Sequence, residues 1–230
     1  MKKEYLEKSK RFESCGPREI LEWALGEFWP DIAMSSAFGS SGMVLIHMIS
    51  QINPQMRIIF LDTGFHFKET LEFKALVKEK YQVNIVDYQS PISKEELFKK
   101  ITPHPYHDNP DLCCQINKVE PMGRAIQGLH AWISALRRDQ SPSRANIAVL
   151  EEYEGGLVKI NPLANWTKKE VWNYLYKNSV PYHPLHDQGY PSIGCEPCTQ
   201  PVGEHAHERD GRWVGKGKLE CGIHTFLKKI

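Results

Sequence analysis

The sequence predicts an α/β domain: a parallel-type sheet flanked by helices, followed by a loop-rich C-terminal tail. Two patterns carry this reading. Up to Pro181, short apolar runs of strand length alternate with helical segments, as expected for strands buried on both faces. Beyond Pro181, Pro, Gly and His dominate and regular structure should thin out.

Residues 1–29 read as helical, with Ile20, Leu21, Ala24, Leu25 and Phe28 on one face. Asp31 to Ser36 reads as a strand, the small-residue segment Ala37 to Gly42 as a loop, and Met43 to Ile49 as a helix. Arg57 to Leu61 is a second strand ending at Asp62-Thr63-Gly64. Lys68 to Tyr81 is an amphipathic helix and Val83 to Tyr88 a third strand. Ser90 to Asp111, polar and rich in Pro and His, reads as a loop with one short helix. Cys113 to Gln127 reads as a helix whose regularity Pro121 limits. Ala131 to Ser134 and Leu157 to Ile160 complete the strands. Thr167 and Glu170 form a capping box opening the helix Val171 to Asn178. No repeat or interdomain linker interrupts the chain, so residues 1–230 are expected to form one domain, with 200–230 a mobile tail.

A chain of 230 residues can bury a sizeable core. Its net charge of +1 provides no general field for polyanions, so nucleic acid is not an expected partner. The charged N-terminus is unlike a secretory signal and no apolar run reaches bilayer length, so a cytoplasmic, membrane-free protein is expected. In that reducing compartment six cysteines point to metal binding or catalysis rather than disulfides.

The segment Ser35-Ser36-Ala37-Phe38-Gly39-Ser40-Ser41-Gly42 places small residues at a helix N-terminus, where unpaired N–H groups and the helix dipole favour a phosphate. It is neither a GxxxxGK[ST] nor a GxGxxG loop, and a tight turn needing glycine explains it equally well. Asp62 and Thr63 lie at the carboxyl end of the next strand, where open α/β sheets bind ligands. Together the two loops suggest a nucleotide crevice.

Cys113-Cys114 and Cys195-Glu-Pro-Cys198 form two close pairs. Adjacent thiols do not easily share one tetrahedral zinc, and the second pair alone fits zinc, iron–sulfur or a redox dithiol. Four thiolates in two tight pairs suit a [4Fe–4S] cluster. Cys15 stands outside this pattern. Cys221, in a glycine-rich tail, reads either as a reactive thiol activated by His224 or nearby basic residues, or as a spare cysteine. Basic residues cluster at Lys118, at Arg137, Arg138 and Arg144, and at Arg209, Arg212, Lys216 and Lys218, as suits a small anionic ligand.

These residues resemble the sulfonucleotide reductases, which reduce adenylyl sulfate or its 3′-phosphorylated form. The likeness runs from about Ile32 and includes Leu61-Asp-Thr-Gly64, Cys113-Cys114, Lys118 to Pro121, Arg137 to Ser141, Ile193 to Cys198, Arg209 to Trp213 and Glu220-Cys-Gly-Ile-His-Thr225. The double cysteine pairs resemble the iron–sulfur branch. One departure is Asn117, where many relatives carry a basic residue. The resemblance implies an adenine-nucleotide α-hydrolase-like fold and a [4Fe–4S] cluster on Cys113, Cys114, Cys195 and Cys198. It implies that Cys221 attacks the sulfur of the nucleotide and releases AMP, leaving an S-sulfonated cysteine that reduced thioredoxin or a glutaredoxin-like protein resolves to sulfite. Adenylyl sulfate is the expected substrate, with 3′-phosphoadenylyl sulfate the alternative and a homo-oligomer left open. A different class on the same fold, ATP-pyrophosphatase-type adenylation or thiolation, requires an SGGxDS-type loop that Ser36 to Ser41 lacks; a non-catalytic metal or redox-sensing module is a third class.

Overall fold

The computed structural model describes residues 2–203 and 206–229. Glu204, His205 and Ile230, which belong to the expected tail, lie outside the described residues. Six strands form one sheet in the order β3-β2-β1-β4-β6-β5: β1 Ile32–Ser35, β2 Arg57–Asp62, β3 Asn84–Gln89, β4 Ala131–Ile133, β5 Leu150–Glu152 and β6 Val158–Ile160. All neighbours pair in parallel except β5 with β6. β5 went unread in the sequence. It is an antiparallel edge strand whose Glu151 and Glu152 are both buried.

Alternation along the strands divides the core. Ile32, Met34, Ile58, Phe60, Ala131, Ile133, Val158 and Ile160 point to one face, packed by α2 (Pro17–Phe28), α3 (Ser40–Ile52) and α9 (Lys168–Lys177). Ala33, Ile59 and Trp132 point to the other, under Met122, Ala125, Ile126 and Leu129 from α8 (Glu120–Ala125) and the turn after it. Phe226 and Leu227 of the tail pack on this second face.

The expected helix over 1–29 is two helices, α1 (Lys3–Phe12) and α2, separated by a turn at Glu13; Gly16 caps α2 and Pro17 takes its first helical position. The helix α4 (Lys68–Tyr81) and the Thr167–Glu170 capping box form as expected. The segment 90–111 holds more helix than expected: α5 (Lys94–Lys100), opened by a Ser93–Glu96 capping box, then α6 (Pro105–Asp108) and the start of α7 (Pro110–Cys114). Between α7 and α8 the turn Gln115–Val119 widens to a π-helix. The wider turn accommodates Pro121, which lacks an N–H and crowds the preceding turn. Among the described residues no helix is long and apolar enough to cross a membrane.

Candidate active site

The order of the sheet reverses around β1, which feeds β2 on one side and reaches β4 on the other. Open α/β sheets place their ligand crevice at the carboxyl ends of strands at such a point. A cleft of about 230 Å³ opens there, lined by Ser35 at the end of β1 and Ser36 after it, Ser134 to Leu136 after β4, and Gly39 to Gly42 at the start of α3. Gly39 caps α3 without a side-chain bond, so the first N–H groups of the helix are unused within it. Gly42 is required by crowding: a Cβ there would lie 2.7 Å from Ser36 Oγ. Ser36 Oγ in turn accepts from Phe38 N at 3.0 Å, holding Phe38 at φ 58° with its ring buried against Phe60. Phe38 therefore shapes the loop from beneath and does not line the cleft.

Lys118, Arg144, Arg209, Arg212, Cys221 and His224 line the cleft together. Arg144 and Arg209 are paired with Glu220. Among the described residues neither Lys118 nor Arg212 has a carboxylate within salt-bridge distance. Lys118, Arg209, Arg212 and Lys218 surround the Trp213 ring at 5.9, 5.8, 4.5 and 5.6 Å from its centroid. Trp213 itself sits at φ 47°, a sparsely populated conformation for a bulky residue that costs about 1–3 kcal/mol. Burial pulls Arg209 down to about 10, helped by Arg144. Burial would also lower Lys118, but the neighbouring Cys195, Cys221 and Cys114 outweigh it and hold the ammonium in its charged form.

Besides Phe38, four expected site residues lie elsewhere: Thr63, which sits beside Cys195, and Arg138, Arg137 and Asp62. Arg138 turns away from the cleft and grips Glu13 with two 2.8 Å bonds while donating to Ile147 O. Arg137 is fully buried, bound to Ser41, Asp139 and Glu208, and so braces the α3 loop from behind. The Asp62 carboxylate accepts from Gly64 N and Gln89 Nε2, closing its own turn. His224 also differs from the expectation. Its partly buried ring, with Nδ1 shielded from solvent, stacks on Trp132 at 5.4 Å and 9°, and burial, with Lys159, Arg144 and Arg209, holds it well below the ordinary histidine range. A neutral imidazole gives Cys221 no cationic neighbour; the cations of the cleft do so instead. His66, Gln140, Glu208 and Trp213 line the cleft without having been singled out as site residues. His66 sits four residues beyond Asp62, and its Nε2 bonds Leu61 O at 2.9 Å.

Cys113, Cys114, Cys195 and Cys198 gather in a second, adjacent cavity with Thr63, Asn117 and Lys118, so Lys118 borders both spaces. Burial raises Cys113 to about 12 and Cys114 to about 11. Burial also opposes the Cys195 thiolate, but Lys118, Thr63 and Arg212 prevail and lower it. Donors face the sulfurs: Thr63 Oγ1 is 3.3 Å from Cys195 Sγ, and Asn117 Nδ2 is 3.6 Å from Cys113 Sγ while bonding Cys113 O at 2.9 Å. Asn117 thus serves the thiols. Cys15 lies apart on the surface beside Glu19.

Residues 31–201 match the phosphoadenosine phosphosulfate reductase domain. The chain belongs to this family. An adenosine 5′-phosphosulfate reductase of Bacillus cereus is 45% identical over 94% of this chain and 93% of its own. A Bacillus mycoides protein of the same name is 44% identical over the same shares. Among solved structures, the phosphate complex of the Candida auris phosphoadenylyl-sulfate reductase is 34% identical, with a TM-score of 0.76 over 88% of this chain and 98% of that one. Family membership makes the protein an oxidoreductase of the sulfonucleotide reductase type, and the expected α/β sheet flanked by helices is the one observed.

Proposed function

We propose that the protein reduces adenosine 5′-phosphosulfate to sulfite and AMP, with Cys221 as nucleophile and a dithiol protein such as thioredoxin as reductant. One observation carries the reading: Cys221 lines the switch-point cleft together with Lys118, Arg209 and Arg212. Its Sγ attacks the sulfonate sulfur, the sulfur–oxygen bond to AMP breaks, and AMP leaves with the electron pair. The thiolate of the partner then attacks Cys221 Sγ. Sulfite departs with the bonding electrons, and the second partner thiol closes a disulfide. The dithiol thereby supplies both electrons that the sulfur gains. Lys118, Arg144, Arg209 and Arg212 offset the charge that develops on the departing phosphate, while the start of α3 with Ser35, Ser36, Gly39 and Ser40 receives it.

Cys113, Cys114, Cys195 and Cys198 would hold a [4Fe–4S] cluster. The donor set supports this. Four thiols surround one cavity, and Thr63 and Asn117 offer hydrogen bonds to sulfur. Burial and the neighbouring Cys195 raise the Cys198 thiol, while Lys118, Arg212 and Trp213, whose Nε1 is buried without a hydrogen-bond partner, act against them. When bound, the group supplies an electrostatic neighbour to Lys118 rather than electrons. Reduced thiols belong to a cytoplasm-like compartment. The 3′-phosphorylated nucleotide is the second reading, favoured by the likeness to the Candida auris enzyme.

Anaerobically purified protein is to be given each sulfonucleotide with reduced thioredoxin, and sulfite measured. Adenosine 5′-phosphosulfate should give sulfite, and Cys221→Ser should abolish it while keeping the visible absorption. No sulfite from either nucleotide refutes the reading, and a colourless zinc protein refutes the cluster.

A further inference from the structure

The edge of the sheet opposite β3 carries buried charge that the reaction above does not use. Strand register aligns Ala33, Trp132, Lys159 and Glu151 in one row across β1, β4, β6 and β5, all on the face that the tail covers. Lys159 is 1% exposed and Glu151 5% exposed, so this edge strand points its charge inward. Lys159 Nζ lies 3.6 Å from Glu151 Oε2 and 5.0 Å from the centroid of Trp132. Tyr153 OH at 3.3 Å and Asn161 Nδ2 at 3.4 Å add to the shell of Glu151. Its remaining partner comes from the end of the chain, because Lys229 Nζ bonds Glu151 Oε1.

The tail meets this edge as an extra strand would. Lys229 pairs with Tyr153 in an antiparallel bridge, Glu154 N donates to Lys228 O at 3.0 Å, and Lys228 Nζ reaches Glu154 at 2.8 Å. Phe226 and Leu227 fill the space before it, over Met122, Ala125 and Leu157. Working back toward the thiol, the His224 ring lies flat on Trp132, the neighbour of Lys159 in the row. On the other side of Cys221, Glu220 holds Arg144 and Arg209. Both flanks of the thiol are thus fastened to the body.

We propose that Glu151 and Lys229 are positioning residues for Cys221, so that the thiol rides on a loop fixed at both ends rather than on a free tail. This rests on Cys221 being the nucleophile. An attacking atom held in line gains rate through restricted geometry, and a loosened anchor gives that gain up without removing any contact to the nucleotide. The consequence is a split between binding and turnover that a merely structural role does not produce.

The test compares Glu151→Gln, Lys229→Gln and Lys229→Arg with the parent, measuring kcat, KM and the rate of Cys221 alkylation by iodoacetamide with AMP bound. Both Gln variants should lose about tenfold in kcat with KM kept within about twofold, and their Cys221 should alkylate faster under AMP. Lys229→Arg should restore kcat. Lys229 is half exposed, so Lys229→Gln carries the test if the buried Glu151→Gln does not fold. Parent-like kcat and alkylation in Lys229→Gln, a change confined to KM, or an Arg variant as slow as the Gln variant each overturns the proposal. Cys221→Ser separates the two readings: sulfite production that survives it removes the nucleophile assignment, whereas an inactive Cys221→Ser beside a parent-like Lys229→Gln removes only the anchor.

Discussion

Glu220, the residue immediately before Cys221, accepts from Arg144 Nε and Nη2 at 2.8 Å each and from Arg209 Nη2 at 3.2 Å. Burial opposes this carboxylate, but Arg144 and Arg209 hold it below the ordinary glutamate range. The same arginines face the cleft, so Glu220 occupies cations that an incoming anion needs while tying the neighbour of the thiol to them. Glu220→Gln should therefore bind AMP as tightly as the parent or more so, and lose about tenfold in kcat because its reach to the arginines weakens. Calorimetry with AMP beside a turnover assay checks both halves. Weaker AMP binding with an unchanged kcat would contradict the arrangement.

Arg138 provides the opposite case. Its guanidinium is spent on Glu13, Asn165 and Ile147 O, linking the end of α1 to the loop after β4. Arg138→Ala should leave kcat and KM unchanged and lower stability by about 1 kcal/mol, a figure that allows for partial exposure of the pair. Denaturant unfolding and steady-state kinetics decide it, and a KM raised tenfold would return Arg138 to the cleft.

The contrast explains what was legible in the sequence. Ile32 to Met34 and Ile58 to Phe60 announce strands because each residue is apolar and both faces of the sheet are covered. Leu150–Glu152 announces nothing: its carboxylates are buried only because Lys2, Lys159 and Lys229 reach them, two of these from distant parts of the chain. The metal-type cysteines were visible from local spacing. Arg137 and Arg138 were grouped because they are adjacent, yet one faces inward to Ser41 and the other outward to Glu13. Side-chain direction in an irregular loop is set by partners that spacing does not reveal. No local spacing marks the role of Trp213, which depends on four cations that folding assembles around it.

Trp213 offers a separable test of that assembly. Its ring is surrounded by the cations, and its buried indole N–H, without a hydrogen-bond partner, lies near Cys198 and favours that thiolate. Trp213→Leu removes both and should raise the nucleotide KM about tenfold, as expected for losing several partly desolvated cation–π contacts. Trp213→Phe keeps a ring, so KM should stay near the parent value. It lacks the N–H, so the visible absorption should bleach faster in air. A Phe variant as weak in binding as the Leu variant would show that the ring face is not what the cations use.

His183 sets a pH limit on the fold. It is fully buried, its Nδ1 accepts from Leu185 N at 3.3 Å, and its Nε2, carrying the proton by that assignment, donates to Thr70 Oγ1 at 2.9 Å. No second proton is accommodated, and burial, with His186 beside it, lowers the imidazole from 6.5 to about 4. Between those values the unfolded chain binds a proton that the folded one does not. The stability contribution is therefore fully present above about pH 6.5 and is lost as pH falls toward 4. His47, His66, His186 and His224 are lowered as well, with burial the largest cause for each, and they add in the same direction. The unfolding midpoint should fall steadily from pH 6.5 to 4, and His183→Gln should flatten part of that slope at the cost of a lower midpoint at pH 7. Thermal unfolding of both proteins across this range measures it, and parallel curves for parent and variant would remove His183 from the account.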